Sequence, residues 1–401
     1  MQKDSIGTGS RTNDAWGGHR CGVVLLFWGC SATFTIFRRW KGQAVAPKSL
    51  KDLREQIDRL DDQILDLINQ RAEIVIEVGK AKQNSQGEYY VPSREQAIYE
   101  RLIANNKGPF PKEGIHRVFR EIISASLSLE HPLKVAFLGP QATFTHVAAM
   151  QQFGLSAQLV PLKSISAIFE EVSRGRASYG VVPVENSNEG VVSHTLDMFM
   201  TSELKIIAEI LIEVSHDLLN LSGQLEDVRK IVSHPQAIAQ CRVWLEENLP
   251  DLPVIDAPST ATAAQLAADD ESVAAIASST AAALYGLRIV KHKIEDNPNN
   301  YTRFLVVGQK GQGPSGRDKT SILFNVKDQA GVLYHMLEPF YKRKINLTKI
   351  ESRPMKSKAW EYMFFLDMEG HVDDKNVSEA ISELRDYCQF IKILGSYPRA
   401  R

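Results

Sequence analysis

Apolar residues recur at three- and four-residue steps along the first long patterned stretch, at Leu50, Leu53, Ile57, Leu60, Ile64, Leu67, Ile68, Ile74, Val75 and Val78, with charges between them. That period predicts one amphipathic helix. Neither Pro nor Gly interrupts the pattern before Gly79, so about 35 helical residues, roughly 50 Å at ~1.5 Å per residue, are expected. A helix of that length cannot bury its stripe by itself. Two more helical stretches follow, over residues 93–106 with Ser93 as N-cap, and over residues 112–130 with Ile115, Phe119, Ile122, Ile123 and Leu127 on one face. Together they predict an all-α unit over residues 48–131 that intertwines with a second copy.

Beyond residue 133 short strand-like runs take over, at residues 134–138, 179–182, 205–213, 230–233, 253–255, 273–276 and 303–307, alternating with helical stretches. This predicts a two-lobed α/β unit over residues 133–309, one lobe built from residues 134–212 plus the last strand and the other from residues 213–290. Ligands in such sheets sit beyond the carboxyl ends of the strands. Residues 309–318, rich in Gly, Ser and Pro, read as a linker. After them strand, helix, strand, strand, helix, strand follow at residues 321–326, 331–344, 347–353, 361–368, 374–387 and 391–397, which is an α+β (βαββαβ) order over residues 319–397. The fold class expected is therefore multidomain: all-α, two-lobed α/β, then α+β.

Composition narrows the partners. A net charge of -1 with 24% charged residues leaves no broad basic surface for nucleic acid, so small molecules are the expected substrates. The four cysteines, Cys21, Cys30, Cys241 and Cys388, have neither metal-ligand spacing nor the density of a disulfide framework. They read as free thiols in a reducing, cytoplasmic setting. Residues 1–47 read as an extension, or as a start placed too far upstream. Their apolar run over residues 21–37 is shorter than the ~20 apolar residues of a membrane span and is diluted by Ser31, Thr33 and Thr35.

The candidate chemistry lies in the turns. Small polar loops at residues 139–145 (with Thr143), 233–237 (with Gln236), 259–262 and 278–280 each separate a strand from a helix. Their hydroxyls and free N–H groups suit carboxylates at helix N-termini, or simply cap those helices. Pro183-Val184-Glu185-Asn186-Ser187 and Asn299-Asn300-Tyr301-Thr302-Arg303-Phe304 add a carboxylate, amides, a hydroxyl and a cation at strand mouths. His194, His216 and His234 match no metal-site spacing. In the helical segment Arg71 and Lys82 are eleven residues apart, which returns to nearly one face ~16 Å along the axis. Arg54 lies ~25 Å before Arg71 and so reaches the same ligand more easily from a partner subunit.

Glu185-Asn186-Ser187 and Thr302-Arg303-Phe304 resemble the signature of prephenate dehydratases. The helical stretch resembles the helical chorismate mutases, and Gly331-Val332-Leu333 with Glu351-Ser352-Arg353-Pro354 resembles the phenylalanine-binding motifs of ACT domains. Over residues 48–397 the chain is thus similar to the bifunctional chorismate mutase/prephenate dehydratases. The resemblance implies Arg54, Arg71, Lys82, Arg94, Glu95, Ser126 and Glu130 as chorismate contacts, Lys82 and Glu130 serving the ether oxygen. Glu130 stands where the enteric pattern has Gln, so it donates only when protonated and the mutase rate should fall as pH rises through its titration. Val91 is a second departure. For the dehydratase it implies Thr302 hydrogen-bonding or protonating the leaving hydroxyl, Glu185, Asn186 and Gln236 orienting it, and Thr143, Ser187 and Arg303 holding substrate. For the ACT unit it implies L-phenylalanine at Gly331, Val332, Leu333, Asn346, Leu347, Glu351, Ser352, Arg353 and Pro354, with feedback inhibition. Implied too are a homodimer or higher homo-oligomer, no membrane partner, and no cofactor or metal. An arogenate-preferring dehydratase and a non-catalytic anion-binding regulator are the alternative readings.

Overall fold

The computed structural model describes residues 49–85, 90–326, 330–354 and 362–400. The extension, the thiols Cys21 and Cys30, and Glu361, the expected first residue of a strand, lie outside them. The described residues divide into two units at Arg59/Leu60. Arg54 belongs to the first, and every other candidate residue to the second.

The long helix is α1 (Leu50–Ser85), followed by α2 (Pro92–Asn105) and α3 (Lys112–Glu130). Ser93 does not cap α2. Val91 occupies the N-cap without a side-chain bond and Pro92 takes the first turn, where its missing N–H costs nothing. Much of the apolar stripe of α1 stays uncovered: Ile64, Leu67 and Ile74 are 53%, 63% and 62% exposed.

The α/β unit begins with β1 (Lys134–Leu138), α4 (Phe144–Phe153), β2 (Gln158–Leu162), α5 (Ile165–Ser173), β3 (Tyr179–Asn186), β4 (Gly190–Val191), α6 (Ser193–Thr201) and β5 (Lys205–Glu213). Its second lobe contains β6 (Asp217–Asn220), β7 (Lys230–Ser233), α7 (Pro235–Gln240), α8 (Arg242–Asn248), β8 (Val254–Asp256), α9 (Thr260–Asp269), β9 (Val273–Ala277), α10 (Ser279–Tyr285) and β10 (Arg288–Lys291). Then β11 (Tyr301–Gly308) returns to the first sheet, giving the orders β2-β1-β3-β11-β5 and β10-β6-β9-β7-β8. The two-lobe expectation thus matches, with β11 antiparallel between β3 and β5.

The last unit is β12 (Asp318–Val326), α11 (Val332–Lys342), β13 (Leu347–Pro354), β14 (Tyr362–Glu369), α12 (Lys375–Leu384) and β15 (Cys388–Pro398), in sheet order β13-β14-β12-β15. Ile322, Phe324, Phe364 and Leu366 bury one face against Met336 and Phe340 of α11 and Ile381 and Leu384 of α12. From the other face Leu323, Met363, Phe365, Leu394 and Tyr397 join the core of the first α/β lobe. The approach is close: a Cβ on Gly395 would stand 2.1 Å from the Ile206 carbonyl oxygen of β5.

Candidate active sites

Register decides what β3 and β11 present to each lobe. Thr302 pairs with Asn186 and Arg303 with Glu185, and because strand side chains alternate the two pairs face opposite sides. Asn186 and Thr302 open into a cavity of about 360 Å³ walled by both lobes. There Asn186 Nδ2 donates to Thr302 Oγ1 at 2.8 Å and to Asn300 Oδ1 at 2.8 Å. Its Oδ1 accepts from the backbone N–H groups of Asn188 and Glu189 at 2.9 and 3.1 Å. The amide chain continues, with Asn300 Nδ2 donating to Gln240 Oε1 at 3.0 Å and Gln240 Nε2 to Glu189 Oε1 at 3.0 Å. His216 Nε2 lies 2.9 Å from the same Gln240 Oε1. Since that oxygen only accepts, the imidazole carries its proton on Nε2. Burial pulls His216 below the ordinary imidazole range, against the upward pull of Gln240, Glu295 and Asp217.

Thr143 and Gln236 also line this cavity. Thr143 caps α4 by accepting from His146 N, and Ser259 caps α9 by accepting from Thr262 N. The N-terminal residues of both helices, Phe144 and Thr145 of α4 and Thr260 of α9, line the space, and no lysine or arginine does. Ser187 does not line it; its Oγ accepts from Tyr301 N at 2.9 Å and donates to Asn299 O at 3.2 Å, tying the end of β3 to the start of β11.

Glu185 and Arg303, expected in the same site, do not line this cavity. Both face the βαββαβ sheet. Arg303, 7% exposed, donates through Nε to Glu209 Oε2 at 2.8 Å, through Nη1 to Asp367 Oδ2 at 2.6 Å and Glu185 Oε1 at 3.1 Å, and through Nη2 to Tyr397 at 3.0 Å. Lys319 also pairs with Glu209, at 2.8 Å, and Lys349 of β13 pairs with Glu185. Three cations thus meet three carboxylates between the sheets. Burial alone would raise the Glu185 carboxyl, but Lys349 and Arg303 outweigh it and hold it below the ordinary range. Glu185 is thus an ion-paired carboxylate that links β3 to β13. Nothing in the sequence marks which strand face meets the cavity, and the amide chain through Gln240 and Asn300 joins residues 60 positions apart; Asn300 was visible only as a neighbour of Thr302.

In the helical unit Arg71 Nη1 donates to Ser126 Oγ at 2.5 Å, and Lys82 Nζ pairs with Glu130 Oε1 at 2.8 Å. Burial first, and then the charge of Arg94, lower the Arg71 value. Gly79 permits the approach, since a Cβ there would meet Glu130 Cγ at 2.7 Å. Tyr99 stands between the charges of Glu95 and Arg71. Glu95 lines a cavity of about 270 Å³ with Tyr99, His116, Arg120, Glu209 and Arg399, and burial pushes its carboxyl up to about 8.

Gly331 sits at φ 81° before α11, a conformation that favours glycine, with Val332 following and Leu333 exposed. Asn346 bonds Glu369 at 3.1 Å. On edge strand β13, Leu347, Lys349, Glu351 and Arg353 alternate with more exposed positions that include Ser352 and Pro354. Glu351 and Arg353 register with Phe365 and Met363, both on the face toward the α/β lobe. Arg353 accordingly bonds Ser193 Oγ and pairs with Asp197 at 3.4 Å, both on α6. Arg353 thus ties the edge of this sheet to α6 of the α/β lobe.

Among the described residues no group of His, Cys, Asp and Glu could hold a metal ion, and no helix is long and apolar enough to cross a membrane.

A two-lobed α/β cleft with a hydroxyl–amide pair and helix N-termini, preceded by helices that carry Arg71 and Lys82 and followed by a docked βαββαβ sheet, defines a multidomain enzyme acting on small carboxylates. Family models match in the same order: chorismate mutase type II at residues 53–131, prephenate dehydratase at 135–312 and ACT domain at 320–386. The bifunctional chorismate mutase/prephenate dehydratase of Aquifex aeolicus is 51% identical over 357 residues, covering 88% of this chain and 99% of its own. That of Escherichia coli K12 is 32% identical over 373 residues, covering 86% and 95%. A crystal structure of prephenate dehydratase from Arthrobacter aurescens in complex with L-Phe is 37% identical with a TM-score of 0.62, over 67% of this chain and 90% of that one. The chain belongs to the bifunctional chorismate mutase/prephenate dehydratases. It is an enzyme with both activities, and the non-catalytic regulator reading falls.

Proposed function

We propose that prephenate binds in the cavity between the α/β lobes and that Thr302 hydrogen-bonds the hydroxyl that leaves. The observation that carries this is the Asn186–Thr302 bond at the cavity wall. Because Asn186 donates to Thr302 Oγ1, the threonine hydrogen is available to the substrate. The first-turn N–H groups of α4 and α9 supply positive ends for its carboxylates, and Gln236 is a further amide contact. Loss of carbon dioxide and hydroxide makes the ring aromatic, so the enzyme's task is to hold the substrate and ease the departure of hydroxide. T302V should lower dehydratase kcat by about 10²-fold or more while chorismate turnover by the same chain stays unchanged. A variant that keeps its dehydratase rate refutes the role.

For the mutase, Arg71, Lys82, Arg94, Ser126 and Glu130 form the groove that grips chorismate, with Arg54 reaching it from a second copy. The rearrangement needs no nucleophile, only a held conformer and stabilised charge at the ether oxygen. The uncovered stripe of α1 supports a homodimer. L-phenylalanine acts as feedback inhibitor at the edge of the ACT sheet, around Gly331, Leu333, Asn346, Leu347 and Ser352, where Leu333 and Ile350 are exposed. The setting is the cytoplasm, and the domains are residues 48–131, 133–309 and 319–397.

A further inference from the structure

The dehydration of prephenate needs a proton, and Glu185, on the far face of β3, cannot deliver it to the cavity. One acid lines that cavity, Glu189 in the turn between β3 and β4. It is joined to Thr302 through one side chain: Asn186 accepts from the Glu189 backbone N–H at 3.1 Å and donates to Thr302 at 2.8 Å. Gln240 then fixes the carboxyl itself by donating to Glu189 Oε1 at 3.0 Å. His216 and Asn300, both directed at Gln240 Oε1, hold that amide in the orientation that places its NH2 group toward the carboxyl. Oε1 is thereby engaged as an acceptor and Oε2 is left to carry a proton. Burial raises the Glu189 value, His234 and the Gln240 bond opposing it. The titratable side chains facing it across the cavity are His234 and His216.

We propose that Glu189 is the general acid of the dehydratase, its Oε2–H protonating the departing hydroxyl while Thr302 orients that hydroxyl. The ring–carboxylate C–C bond breaks and its electron pair moves into the ring, releasing carbon dioxide. The ring C–O bond then gives its pair to oxygen, which takes the Glu189 proton and leaves as water. Solvent, which reaches Glu189 through the open side of the cavity, restores the proton. Gln240 and His216 are positioning residues in this arrangement.

The inference rests on the cavity being the prephenate site, which wild-type turnover and T302V decide separately. The test is E189Q in the full chain, with dehydratase kcat and KM measured from pH 5 to 9 and chorismate turnover as the folding control. Wild-type kcat should fall as pH rises through the Glu189 titration. E189Q should lose at least about 50-fold in kcat, keep KM within about threefold, and show no alkaline limb. An E189Q that keeps kcat within about threefold, or whose alkaline limb remains at the wild-type pH, assigns the proton to another group and overturns the proposal. Should E189Q also lose chorismate turnover, E189D becomes the readout: recovered rate together with the limb supports the acid, and rate without the limb overturns it.

Discussion

Burial holds Glu95 protonated at neutral pH, its carboxyl pushed up to about 8, and this makes folding pH-dependent in a definite sense. Below the ordinary carboxylate range, ~4.3, folded and unfolded chains are both protonated there and the residue contributes nothing. As pH rises from that range toward about 8 the unfolded chain ionises first, so stability is lost progressively, and the loss is complete above about 8. E95Q should therefore flatten the decline. In thermal unfolding from pH 5 to 9 the wild-type midpoint should drop more steeply than that of E95Q, and parallel curves would remove Glu95 as the cause. Glu185 has the opposite sense: held low by Lys349 and Arg303, it stabilises above the ordinary range and its contribution vanishes in acid. Residue type told little about this difference. Glu95, Glu185 and Glu189 are three glutamates in polar surroundings of the sequence, and only the packed structure separates a buried neutral acid from an ion-paired one and a cavity-lining one.

Strand β11 is where elements meet function. Its alternation gives Thr302 to the cavity and Arg303 to the ACT sheet, so the residue that pairs with that sheet is the neighbour of the hydroxyl proposed to act on prephenate. Arg353 and Lys349 make the same connection from β13 to α6 and β3. This cluster need not stabilise the chain, because charge pairs between sheets recover little beyond their desolvation cost, but it fixes how the sheets register. Gly395 sets their distance. G395A forces a Cβ against the Ile206 carbonyl, and overpacking of this kind costs about 1–3 kcal/mol. We expect a lower unfolding temperature and dehydratase activity less responsive to phenylalanine, read by inhibition curves, with chorismate turnover preserved. An unchanged inhibition curve would place the regulatory coupling elsewhere. The strands themselves were largely legible, since β1, β3, β5, β7 and β9 are continuous apolar runs of the kind buried on both faces. The short β2, β6 and β10 were not, because Pro161 or a mixed polar pattern hides them. The face each strand presents depends on a neighbour 115 or so residues away.

At the scale of the molecule, α1 leaves an apolar stripe that a single copy does not cover. I74E places a carboxylate on that stripe at a position 62% exposed, so a single copy tolerates it and a helix-to-helix interface does not. Sedimentation should show a smaller species with chorismate turnover reduced at least tenfold and dehydratase activity largely kept. An I74E protein of wild-type mass and full mutase rate would exclude this face as the subunit contact. The three-part order of the chain was readable from the change of hydrophobic period alone. The docking of the ACT sheet onto the α/β lobe was not, because Lys319, Asp367 and Tyr397 look like ordinary strand residues until Arg303 is placed among them.

The insertion of β11 between β3 and β5 also sets an order of assembly. As the chain emerges from the ribosome, β3 and β5 are made long before the strand that joins them, and each keeps an open edge until residue 308 has been synthesised. Such edges invite pairing with other chains. The intervening lobe, whose own sheet is complete by β10, can fold in that interval. Thr302 therefore enters with the strand that joins β3 to β5, and a nascent chain completes this wall of the cavity at the moment those two facing edges are paired.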